Sequence, residues 1–287
     1  MATLTSFARR NPLASFYLLA YAITWGIWIP MAATSLDIST TLGRALHVAA
    51  IFGPTVAALL LTAIYRRALG VRELLRRLAQ WHVNLGWYAV ALLMFPVTML
   101  LAIAMAVALG GPTPDFSNPG DLAVLLALDS LMIIAGSLGE EIGWRGYALP
   151  RHLPRRSAFI ASVILGVLWG VWHAPVYFVS GTGQFDTAHT SGSFIVPFLG
   201  FVIWTIGLSV LFTWLFLNTG GSLLIAVLFH ASINIAAYLP SALATPGSAA
   251  PLINVLLTWA IALVASRSRA FSRSSPTDRR LDDIQAG

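Results

Sequence analysis

The sequence predicts an all-α protein of about eight membrane-spanning helices, with both chain ends on the cytoplasmic side of the cell membrane. Three observations carry that prediction. The 287 residues are 57% apolar and only 10% charged, against roughly 25% charged in a soluble domain, and the mean hydropathy is +0.79. The apolar residues fall in long runs, and a membrane helix needs about 20 of them. The basic residues are all arginine, seventeen of them, clustered at the borders of those runs.

The first run covers 13–33 behind Arg9 and Arg10. It is too long for the roughly 7–15-residue core of a cleaved leader, so it reads as the first retained span. Further runs follow at 45–65, 87–109, 122–144, 157–178, 194–217, 221–239 and 251–266, the last one short. Between the second and third, "VRELLRRLAQWHVNLGW" alternates apolar and basic residues at helical spacing, which predicts a surface amphipathic helix near 71–86. The tail from Arg267 is polar and reads as disordered. The chain thus divides into spans one to three (1–120), a core of spans four to seven (121–240), and a last span with a basic tail (241–287).

Orientation follows from the arginines. With eight spans, sixteen of them lie on one side and only Arg44 on the other; that side is the cytoplasm. The net charge of +6 makes no stripe suited to nucleic acid, and the absence of Cys removes disulfides, a thiolate nucleophile and thiolate metal sites.

Ionisable residues inside spans are costly and point to function. In "SLGEEIGWRGYALP", Glu141 and Arg145 are four apart and share a helical face. Glu140 is rotated about 100° away, so the two carboxylates cannot do the same job: Glu141 is held by Arg145, and Glu140 is free to face a cavity. An interfacial ion pair ending a helix is the plainer alternative. His173 follows Trp169 by four in "GVLWGVWHAPVYF", where Gly166 and Gly170 let another helix come close; a lone His there is commonly a packing residue. In "LFHASINIAA", His230 and Asn234 are again four apart, presenting an imidazole and a carboxamide together. Asp129 reads as a cap on a helix that begins near Ser130, which puts Glu140 at mid-depth. His47, His82, His152 and His189 fall near span ends or in loops and receive no role.

Glu140-Glu141-x-x-x-Arg145, Trp169-x-x-x-His173 and His230-x-x-x-Asn234, in that order on separate spans, resemble the CPBP family, the CAAX-protease and bacteriocin-processing intramembrane peptidases also called Abi. The resemblance covers residues 120–240. Trp169 departs from it, since the family's second motif usually shows Phe there. The resemblance implies an endopeptidase with its active site between membrane helices, formed by Glu140, Glu141, Arg145, His173, His230 and Asn234. It implies a membrane-associated peptide or protein as substrate; in eukaryotic relatives this is a prenylated protein that loses its last three residues.

On these residues, Glu140 and His173 position and deprotonate a water, His230 and Asn234 donate to the oxyanion, and Arg145 braces Glu141. A metallopeptidase version uses Glu140, His173 and His230 as three ligands for one Zn²⁺, with water in the fourth position; the sequence leaves both forms open. Two rival readings use the same chain: an immunity or scaffold protein that keeps the motifs as structural ties, and a transporter. The latter is disfavoured because no internal repeat relates the halves. One geometric tension remains. His173 lies about 25 Å along its helix from Arg156, and Glu140 only about 8 Å from Arg145, so span five has to tilt strongly or begin outside the bilayer.

Overall fold

The computed structural model describes residues 10–115, 130–243, 245 and 247–272, and it contains no strand among them. The helices are α1 (Pro12–Ala33), α2 (Thr41–Ile51), α3 (Gly53–Arg76), α4 (Leu85–Ala108), α5 (Ser130–Glu141), α6 (Leu149–His152), α7 (Ala158–Trp172), α8 (Gly183–Thr190), α9 (Ile195–Asn218), α10 (Leu223–Ala242), α11 (Ala250–Ser266) and α12 (Arg269–Ser272). Six helical segments among the described residues are long and apolar enough to cross a bilayer: Pro12–Ala33, Gly53–Ala79, Leu85–Ala108, Ala158–Phe178, Ile195–Asn218 and Leu223–Pro240. The apolar α11 is shorter, at 17 residues. Leu18, Leu93, Val97, Val196, Leu252 and Val264 stand exposed on these helices, as side chains facing lipid do. The chain is a multi-pass helical membrane protein.

Three elements depart from the sequence reading. The second run is two helices rather than one, because α2 stops at Ile51 and α3 starts afresh at Gly53-Pro54. The backbone there is pressed against α1: a Cβ on Gly53 would lie 2.2 Å from Thr24 Oγ1, and the Thr24 hydroxyl donates to Ala50 O. The basic segment is shorter than 71–86. It follows a break at Arg67, whose φ of 54° lies in the left-handed region, and its helical part ends at Ala79. Arg77 turns inward instead of lying on the surface. Its guanidinium donates to Gly221 O at 2.7 and 2.9 Å and to Gly146 O at 3.0 Å, tying the end of α3 to the turn before α10 and to the π-helical stretch Ile142–Ala148.

The third departure concerns the segment carrying the two glutamates. The described part of α5 starts at Ser130; Asp129, read from the sequence as its cap, lies outside the described residues. Helical structure then runs unbroken to His152, through a π-helical stretch Ile142–Ala148. The two glycines of this stretch are wedged against neighbours with no room for a side chain. A Cβ on Gly143 would meet Pro54 at 2.5 Å, and one on Gly146 would meet Leu74 at 2.9 Å. At the far end, Arg156 donates to His152 Nδ1, which leaves the His152 Nε2–H to donate to the Tyr17 oxygen at 2.6 Å.

Around this motif helix, α10 packs between α4 and α5, α3 lies against the π-helical stretch, and α7 pairs with α9. The α7–α9 approach is as close as Gly166 and Gly170 predict. A Cβ on Gly166 would lie 2.5 Å from Ile206 Cα, and the Thr205 hydroxyl donates to Gly166 O at 3.0 Å.

Candidate active site

Glu141 and Arg145 form the sealed side of the site. Both are 0% exposed, and Arg145 Nη1 donates to Glu141 Oε1 at 2.7 Å. The guanidinium lies over two aromatic faces, 3.6 Å from the Phe212 ring centre and 4.4 Å from that of Trp169. A lone guanidinium at this depth would be prohibitive; a carboxylate and two π faces make it tolerable.

The same Glu141 oxygen accepts from His230 at 2.8 Å. A carboxylate only accepts, so His230 carries a proton on Nδ1 and turns Nε2 the other way. Nε2 points at Glu140 and stands 4.0 Å from its Oε1. That is too long for a direct hydrogen bond and short enough for both atoms to contact one small polar group. The other oxygen, Oε2, takes the indole N–H of Trp169 at 2.6 Å. Glu140 therefore has one oxygen committed and one turned toward His230.

His173 is gathered to the same place through Trp169. Its Nδ1 lies 2.8 Å from Trp169 O; a carbonyl only accepts, so Nδ1 holds the proton and Nε2 keeps a lone pair. The imidazoles of His173 and His230 have their centres 5.9 and 5.5 Å from the Trp169 ring. Glu140, His173 and His230 retain 6, 9 and 4% exposure, in contrast to the closed Glu141–Arg145 pair. Asn234 is half-buried one turn beyond His230 on α10, and no described residue bonds its carboxamide.

The depth tension dissolves in this arrangement. Arg145 does not mark the membrane edge, because the helix runs on past it to His152. Glu140 is 12 residues from His152 and Trp169 is 12 from Ser157, each about 18 Å at 1.5 Å per residue. The two side chains meet at equal depth without an unusual tilt, and His173 lies one turn deeper.

The structure brings Glu140, Glu141, Arg145, His173 and His230 into one cluster. It also adds a member that sequence reasoning had treated only as an aromatic, since a helical wheel shows which face Trp169 shares but not what lies across from it. The zinc arrangement fares differently. Among the described residues no three His, Cys, Asp or Glu side chains are placed to hold a metal ion, with one Glu140 oxygen already bonded to an indole. The set Glu140, His173 and His230 does not fit as a ligand triad in this geometry.

Comparison with known proteins finds a likeness over the same segment. A model described as type II CAAX prenyl endopeptidase, Rce1-like, matches residues 122–236, which hold all three motifs. CAAX prenyl protease 2 of Methanococcus maripaludis is 27% identical over 226 residues, spanning 77% of this chain and 82% of the relative.

Proposed function

As an intramembrane endopeptidase with an Rce1-like core over residues 122–236, the chain, we propose, cleaves a membrane-associated peptide with water activated by Glu140. The observation that carries the reading is the asymmetry of Glu140: Oε2 held by Trp169, Oε1 facing His230 Nε2 across 4.0 Å. A water in that gap has a carboxylate to take its proton and an imidazole beside it. The water oxygen attacks the scissile carbonyl carbon while its proton passes to Glu140, and the same proton then goes to the leaving amine as the C–N bond breaks.

Glu141 acts one step back. By accepting from Nδ1 it fixes the tautomer of His230, as a buried carboxylate does for a catalytic imidazole. In that tautomer Nε2 accepts, so His230 donates to an oxyanion only after taking a second proton there. Asn234 supplies an amide N–H from the same helix, and the free Nε2 of His173 orients the water. Preorganised donors of this kind contribute about 3–4 kcal/mol each in soluble proteases.

The relative's name, CAAX prenyl protease 2, supports a substrate class for this chain: a protein or peptide with a prenylated C-terminal CAAX sequence. Orientation follows from the arginines. Arg156 bonds the end of the motif helix, Arg77 bonds its Gly146, and Arg66 and Arg155 lie within electrostatic reach of Arg151, which gathers positive charge at one end of the bundle. That end is the cytoplasmic one, with both termini on its side.

The test is cleavage of a fluorescence-quenched peptide ending in a farnesylated Cys and three further residues, by the purified protein in lipid nanodiscs. Glu140→Gln keeps the shape, and its amide oxygen still accepts from Trp169, but it takes no proton. We expect a rate loss of about 10²–10⁴; a wild-type rate overturns the mechanism and favours a scaffold that keeps the motifs as ties.

A further inference from the structure

We infer that Trp169 is a positioning residue for this reaction: its indole N–H pins one oxygen of Glu140 and thereby aims the other at the reacting water. The inference rests on Glu140 being the base. The bond from Trp169 Nε1 to Glu140 Oε2 measures 2.6 Å, a close donor–acceptor contact. The indole itself cannot swing. It is buried, with the Arg145 guanidinium 4.4 Å over its ring and the Phe212 ring edge-on at 5.8 Å. The imidazoles of His230 and His173 crowd it edge-on from further directions.

A carboxylate is planar, so once Oε2 is fixed to a rigid donor the lone pairs of Oε1 have a set direction. Without that donor, the head of a Glu side chain rotates about its last bond, and the fraction of time Oε1 faces His230 Nε2 falls. Catalysis depends steeply on such alignment. The same residue sets a second group, because the Trp169 carbonyl holds His173 Nδ1 at 2.8 Å. Its side chain orients Glu140 and its main chain orients His173. Substituting the side chain by another aromatic leaves the second of these intact.

Trp169→Phe removes the N–H and keeps a ring under Arg145. In the nanodisc assay we expect kcat to fall about ten- to a hundredfold, the cost of one hydrogen bond to a charged group, with KM within twofold of wild type. Ultraviolet resonance Raman supplies an independent readout. The indole band lost between wild type and Trp169→Phe reports a strongly hydrogen-bonded N–H, and in Glu140→Ala that band moves to the position of a free indole. If Trp169→Phe fails to fold, 3-benzothienylalanine at position 169 replaces the N–H by sulfur in nearly the same shape and gives the same test. A wild-type kcat, or a loss confined to KM, overturns the proposal, as does a Trp169 band already at the free position in the wild type. If Glu140→Gln is inactive while Trp169→Phe is fully active, the role of Trp169 falls and the endopeptidase reading stands. If Glu140→Gln is active, the base itself is wrong.

Discussion

The motif helix has two sides, and they meet opposite surroundings. On one, Glu141, Arg145 and His230 form a closed chain of short bonds, with two of the three fully sealed. On the other, Glu140 keeps slight exposure, one oxygen bonded and one aimed at an imidazole beyond bonding distance. Two adjacent, chemically identical residues are thus assigned different work by their angle on the helix. A sealed carboxylate that holds a guanidinium and an imidazole on one oxygen is a structural tie; a slightly exposed one whose unbonded oxygen faces an imidazole is placed to be a reagent.

Breaking each side should produce a different kind of damage. The largest loss is expected from Glu140→Gln, in rate alone, with the thermal midpoint in detergent unchanged. Arg145→Ala leaves Glu141 buried without its cation, and removing one partner of a buried pair costs about 3–5 kcal/mol. Thermal unfolding should show that as a large fall in midpoint or as failure to accumulate folded protein. Away from both sides, Gly166→Ala forces a Cβ to 2.5 Å from Ile206 Cα, an overpacking expected to cost about 1–3 kcal/mol. Gly200→Ala on α9 has nothing within 4 Å and should cost nothing, which separates close approach from helix composition. The smallest effect is expected from exhaustive chelation, which should leave cleavage unchanged; activity lost and then restored by Zn²⁺ would bring the metal arrangement back.

Much of this was legible in the chain. The spacing of Glu141 and Arg145, the 100° offset of Glu140 and the small residues Gly166 and Gly170 each state a local fact, and local helical geometry is fixed by the backbone. What was not legible is what lies across a gap. His230 meets Glu141 from 89 residues away, and Trp169 meets Glu140 from 29; no periodicity encodes either pairing. Arg145 misled for a physical reason. An arginine in an apolar chain normally marks the membrane edge, but one neutralised by Glu141 and stacked between Phe212 and Trp169 can sit deep. Arg77 misled in the opposite way, as a residue of an apparently surface-lying basic segment that spends its charge on buried carbonyls.

The most direct test of the division of labour is a paired measurement of kcat and thermal midpoint for Glu140→Gln and Glu141→Gln. The account predicts that the first lowers kcat by about 10²–10⁴ at an unchanged midpoint, and that the second lowers the midpoint because Arg145 loses its counter-charge. Identical losses in both quantities from the two variants would contradict it.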